Sequence, residues 1–176
     1  MELNNYFVVD VESDGPCPGL YSMVCFGAVN VGTGESFYGE VMPATELWNE
    51  QALAISGFTR EQHLSFDCPS DVMYSFASWL NNNWGFKSRP IFWSDNLAFD
   101  WQWINYYFIK YLGSNPFGYS GRRINDLYCG LMKDCRVSND WKRKYRVTKH
   151  THNPVDDARG NAEALKTIIG MFKEKA

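Results

Sequence analysis

The chain has 176 residues, of which 45% are hydrophobic and 21% charged, with a net charge of −3 at pH 7; that length and balance fit one globular domain with a buried core. No apolar run approaches the roughly 20 residues of a membrane-spanning helix, and the slightly acidic balance lacks the basic footprint of a general nucleic-acid binder. Five cysteines, at 17, 25, 68, 129 and 135, form no C-x-x-C pair, which fits reduced thiols better than a disulfide frame or a zinc site. The opening Met1-Glu2-Leu3-Asn4-Asn5 has no basic segment leading into a long apolar one, so a cytoplasmic protein without a signal peptide is expected.

Residues 5–12 read as a first strand, buried on the side of Phe7, Val9 and Val11. The run Gly15-Pro16-Cys17-Pro18-Gly19 then breaks the chain into a loop. Ser22 to Val31 is a second β-like run, Gly32-Thr33-Gly34 a hairpin turn, and Glu35 to Met42 a third strand. The stretch 45–84 reads as helical, with a short piece at Gln51–Ser56 and a longer helix over Asp71–Asn82 capped by Ser70. Pro90 to Ser94 is a short central strand, and Asn96 to about Leu112 an aromatic-rich helix. Asn115 to Gly121 is a loop, and Ile124 to Asp134 another helix.

Lys142, Arg143, Lys144, Arg146 and Lys149 then form a basic stretch with Trp141 and Tyr145 interleaved. Asn153 caps the last helix, with Pro154 at its first position. Its apolar face is Ala158, Ala162, Leu165, Ile169 and Phe172, spaced by three and four residues. With no internal repeat or linker, the reading is a single domain over residues 1–176 of α/β class, a mixed β-sheet flanked by α-helices.

Four acids and a histidine stand out from this frame. Side chains alternate along a strand, so Asp10 and Glu12 point the same way, about 7 Å apart. At that distance, with an effective dielectric of about 20, they repel by roughly 2 to 2.5 kcal/mol. No Lys or Arg lies in the first fifty residues to relieve this. A hard divalent cation would, and Mg²⁺ and Mn²⁺ take oxygen ligands of this kind. Asp100 opens the helix after the central strand, and Asp157 falls in the first turn of the last helix.

Phosphodiester cleavage with two ions needs one bridging carboxylate and two or three more to complete the shells. Asp10 is assigned as the bridge, Glu12 and Asp157 as its companions on one ion, and Asp100 as the holder of the second. His152, on a loop five residues before Asp157, is suited to act as general base near neutral pH. Lys142, Arg143 and Lys144 are candidates for contacts to substrate phosphates, which would give salt-dependent binding without sequence preference.

Together these residues resemble the signature of the DEDDh 3′–5′ exonucleases. Asp10-Val11-Glu12 is similar to the first motif, D-x-E. Asn96-Leu97-Ala98-Phe99-Asp100 is similar to the second, N-x-x-F-D, and His152 through Ala158 to the third, H-x-x-x-x-D-A. The superfamily includes RNase T and oligoribonuclease on an RNase H-like fold. A small bacterial and phage branch of exoribonucleases is nearer still, through Gly19-Leu20-Tyr21-Ser22-Met23-Val24, Ile91-Phe92-Trp93-Ser94-Asp95-Asn96 and the run from His150 to Ala164. Asp95 stands where many relatives have His.

The resemblance implies a 3′–5′ exonuclease that uses two Mg²⁺ or Mn²⁺ ions and releases nucleoside 5′-monophosphates. Its substrate would be single-stranded 3′ ends or overhangs, RNA in preference to DNA. It adds Leu20 and Tyr21, which would stack on the terminal base, and Asn96 as substrate-contacting candidates. It also suggests a homodimer, for which the aromatic helix 101–112 offers a face. The rival readings are an exodeoxyribonuclease and a catalytically silent nucleic-acid-binding module, the latter having no use for four converging carboxylates.

Overall fold

Residues 3–84 and 89–174 are described by the computed structural model. A meander of β1 (Tyr6–Ser13), β2 (Met23–Asn30) and β3 (Ser36–Glu40) leads into three helices, α1 (Glu50–Ile55), α2 (Arg60–Leu64) and α3 (Pro69–Asn83). Then β4 (Ile91–Ser94) and α4 (Leu97–Leu112) are followed by β5 (Gly121–Arg123), α5 (Ile124–Met132), α6 (Trp141–Tyr145) and α7 (Pro154–Glu174). The sheet order is β3-β2-β1-β4-β5. β1 and β2 pair antiparallel, as do β2 and β3, whereas β1–β4 and β4–β5 are parallel. The expected mixed sheet is therefore present.

β1 is central, and its alternation sorts two cores. Phe7, Val9 and Val11 pack with Phe76, Trp103 and Phe108 under α3 and α4. Val8 points the other way and packs with Trp93, Ile124, Leu165 and Ile168 under α5 and α7. A strand covered on both faces has little room for charge, so Asp10 and Glu12 stand out as the polar residues on the α7 side.

Some elements differ from the sequence reading. Proline at the first helical position lacks only an N–H that would have no partner there; Pro69 takes that place in α3, Cys68 becomes the cap, and Ser70 lies inside the first turn. α2 is a separate helix, started by a capping box between Thr59 and Gln62. β5 lies where the sequence predicts the end of a loop: three residues are too few for periodicity, and the strand forms by pairing with the edge of β4. The basic stretch contains the short helix α6, anchored by fully buried Trp141. Phe172 is 38% exposed, and the apolar face of α7 closes instead with Ile169 and the partly buried Met171.

Candidate active site

Asp10 stands opposite Gly27 in the β1–β2 ladder, and Gly27 is where α7 meets the sheet. A Cβ at Gly27 would lie 2.4 Å from the carbonyl carbon of Pro154 and 2.4 Å from the nitrogen of Val155. Both are backbone atoms, so only glycine lets the helix start settle here. The turn is closed by Asn153, whose Oδ1 accepts from the N–H groups of Val155 (3.0 Å) and Asp156 (3.4 Å). Asp157, in this first turn, is thereby delivered beside Asp10. Carboxylates at a helix N-terminus are also favoured by the dipole.

Asp100 arrives from the other direction. Parallel pairing of β4 with β1 brings the start of α4 alongside the acids. Asp100 is 3% exposed, and its Oδ1 accepts the N–H of Val11 at 3.2 Å. Its Oδ2 is buried without a hydrogen-bond partner among the described residues. The nearby Ser94 hydroxyl favours the ionised form, yet it too lacks a well-formed hydrogen bond.

The electrostatics follow from this crowding. Burial pushes the Asp10 carboxyl well above its ordinary range, and Asp100, Asp157, Glu12 and Asp95 push it further. Burial, then Asp157, raises Glu12 to about 7. Asp100 is raised by burial, against the opposing Ser94 and Val11 contacts, with Asp95 and Glu12 adding to the rise. Carboxylates that raise one another's pKa in a partly closed site are functional candidates.

Asp157 is held differently. Its Oδ1 accepts from Arg146 Nη2 at 2.8 Å and lies 2.7 Å from His150 Nδ1, while Oδ2 accepts the backbone N–H of His152 at 3.1 Å. His152 has φ of 61°, a left-handed conformation costing a non-glycine residue about 1–3 kcal/mol, and the bond to Asp157 helps hold it there. Its Nδ1 is 4.0 Å from Glu12 Oε1, and its ring meets that of His150 edge-on at 4.3 Å.

The acids sit between two clefts. One, of ≈ 420 Å³, is lined by Asp10, Asp157, Lys142, Arg143, Arg146 and Asn161, among others. The other, of ≈ 410 Å³, is more apolar and includes Glu12, Asn49, Ala52, Ile55 and Phe99. Among the described residues no three His, Cys, Asp or Glu side chains close on a point as a ready metal cage. The donors nevertheless fit hard divalent ions: four carboxylates, three of them raised by burial and by neighbouring acids, and one buried oxygen without a partner among the described residues.

Of the other predicted residues, Lys142 and Arg143 reach the first cleft, where Lys142 pairs with Asp95. Lys144 does not line it; its ammonium pairs with Asp140 at 2.6 Å. Leu20 is 61% exposed, Tyr21 packs on the α3–α4 core, Asn96 is exposed at the start of α4, and none of the three lines either cleft. Sequence reasoning missed Arg146 as a partner of Asp157, and Ile55 and Phe99 as cleft walls. The latter left no local signal, since Ile55 follows Ala52-Leu53-Ala54 and Phe99 follows Leu97-Ala98, ordinary apolar company for a helix.

The description "3′–5′ exoribonuclease Rv2179c-like domain" matches residues 5–169. The Escherichia coli protein 3′–5′ DNA exonuclease Cap18 is 34% identical over 173 residues, covering 95% of this chain and 92% of that one. Among solved structures, the nuclease domain of 3′hExo, a DEDDh family member bound to rAMP, has a TM-score of 0.68 at 16% identity, over 94% of this chain and 91% of the other. Exonuclease X in complex with 5′-overhanging duplex DNA has a TM-score of 0.64 at 20% identity, over 94% and 91% of the two chains. At such identities the structural likeness speaks for the fold, the RNase H-like one expected from the sequence. The match along nearly the whole chain goes further: this protein belongs to the 3′–5′ exoribonuclease Rv2179c-like domain family.

Proposed function

We propose that the chain hydrolyses phosphodiester bonds from the 3′ end of single strands or overhangs, releasing nucleoside 5′-monophosphates, with two Mg²⁺ or Mn²⁺ ions. The observation that carries this is the crowding of Asp10, Glu12 and Asp100 against one another between a basic cleft and an apolar one. Asp10, Glu12 and Asp157 would hold one ion, and Asp10 and Asp100 the second. Bound there, the ions would supply a water of lowered pKa and neutralise charge on the phosphate oxygens.

The chain's own residues do the rest. Lys142 and Arg143 offer cations to the phosphate backbone, which gives binding without base preference. Ile55 and Phe99 offer apolar surface to the last base, where stacking is worth about 1–3 kcal/mol. His152 takes the proton of the attacking water: with Nδ1 turned towards Glu12, Nε2 is the accepting atom. Its exposed position lets the ring settle when substrate arrives.

RNA is the substrate we assign first, supported by the family's description. DNA is the second reading, favoured by the full-length likeness to a DNA exonuclease. The test is a time course on matched 5′-labelled RNA and DNA with 3′ overhangs, in Mn²⁺, Mg²⁺ or EDTA. A metal-dependent ladder shortening from the 3′ end is expected, and the faster substrate decides between RNA and DNA. Tight binding of both with no ladder would leave the silent module standing.

A further inference from the structure

Arg146 is built into the site with more care than a solvated loop cation requires. Its side chain is 9% exposed and that of Asp157 3%, so the pair is largely withdrawn from water. Room for the guanidinium comes from Gly160 on α7, where a Cβ would lie 2.4 Å from Arg146 Nε and 2.7 Å from the carbonyl oxygen of Thr148. Just beyond it, Glu163 clasps the chain: Oε2 accepts the N–H groups of Val147 and Thr148, and Oε1 the Thr148 hydroxyl, each at 2.8 Å. Helix α7 thus carries both the acid and the holder of its arginine.

Arg146 also lines the basic cleft with Asp10, Lys142 and Arg143. A guanidinium is matched in shape to carboxylate and to phosphate alike. Asp157 Oδ1 already faces Arg146 at 2.8 Å and His150 at 2.7 Å, so a cation arriving on that oxygen would compete with Arg146 for the same negative charge.

We propose that Arg146 is an exchange residue. It is the counter-ion of Asp157 in the metal-free protein, yields that carboxylate when a divalent ion binds, and is then free in the cleft to pair with a substrate phosphate. This rests on the metal-site reading above and adds an order of events: metal first, then the nucleic-acid backbone on a released arginine. It also separates Arg146 from a residue that merely orients Asp157. An orienting residue helps metal and substrate alike, whereas an exchange residue opposes the first and helps the second.

The test is Arg146→Gln, read by Mn²⁺ titration calorimetry and by binding of a 3′-ended single strand in the presence of Mn²⁺, the latter in a His152→Ala background to prevent cleavage. Replacing a charge-assisted pair, the variant should bind Mn²⁺ about tenfold more tightly. It should bind the strand more weakly, with the slope of log K against log salt shallower by about 0.7, one phosphate contact. Unchanged or weaker Mn²⁺ binding in a folded Arg146→Gln overturns the exchange. Should that variant not fold, Glu163→Gln, which loosens the clasp, should also tighten Mn²⁺ binding, and no change there would be equally decisive. If wild type and Asp157→Asn bind Mn²⁺ alike, the metal-site reading itself falls, and the exchange with it.

Discussion

Asp100 accepts a hydrogen bond from the backbone N–H of Val11 at 3.2 Å, and Val11 is the residue between Asp10 and Glu12. The start of α4 is thus latched to β1 at the midpoint of the first motif. One oxygen of Asp100 serves this latch while the other is buried without a partner among the described residues. Position and chemistry are divided between two atoms of one side chain.

Asp100→Asn should separate the two. The amide oxygen can still accept from Val11, so the latch persists, and a carboxyl that burial and its neighbours disfavour is gone. The metal-free melting temperature should hold or rise by about 2–4 °C, the equivalent of roughly 1 kcal/mol, while the cleavage rate falls by about a hundredfold or more. Asp100→Leu, which removes the latch as well, should cost about 1–3 kcal/mol. A melting curve beside a single-turnover assay checks both.

Divalent metal should stabilise the protein. A ligand that binds only the native state adds about 2.7 kcal/mol at a hundred times its dissociation constant. Millimolar Mn²⁺ should therefore raise the melting temperature by several degrees and EDTA should reverse it. Asp10→Ala should flatten the response. A wild-type curve indifferent to Mn²⁺ and Mg²⁺ would remove the basis for an assembled carboxylate site.

His152→Ala should slow turnover by about 10²–10⁴-fold, the usual worth of general acid–base catalysis, yet keep the metal-induced melting shift, because its side chain makes no close bond to Asp157. His150→Ala is expected to behave oppositely. His150 touches Asp157 directly, so its loss should change metal affinity more than the rate at saturating metal. Parallel metal titrations and rates on the two variants distinguish proton transfer from carboxylate positioning.

Away from the acids, buried His63 predicts an acid-sensitive stability. Burial lowers its pKa to about 4, helped by Arg60 and opposed by backbone hydrogen bonds to Met23 and Val41. Arg60 donates to Nδ1 at 3.3 Å, leaving the Nε2 proton for the Met23 carbonyl, and Asp14 lies 3.8 Å away. The unfolded chain, with a histidine pKa near 6.5, binds the proton first, so stability should fall as pH drops from about 6.5 towards 4. The change attributable to this group is at most about 3 kcal/mol. Asp14, raised by burial, acts in the opposite sense at lower pH. Denaturant midpoints at pH 5 and 7 should diverge less in His63→Gln than in wild type.

The sequence displayed the acids well because each stands at a junction that leaves a local mark: alternation for Asp10 and Glu12, a strand-to-helix step for Asp100, a capped proline start for Asp157. Arg146 left no such mark, since its meaning comes from a connector folding back on α7. β5 was hidden for a related reason, a three-residue strand being made by its neighbour. The aromatic helix divides its residues in a way composition does not show: Trp103, Tyr107 and Phe108 are fully buried and fill the core, while Ile109 is exposed.

Gly27 has no side chain to offer a reaction, yet the spacing between Asp10 and Asp157 depends on it. A methyl group there would collide with the backbone of Pro154 and Val155 and lift the start of α7 from the sheet. A screen for inactive variants would recover this position alongside the acids, and a chemist reading only the hits would search in vain for its role. What it contributes is proximity, held in the thickness of a bare strand.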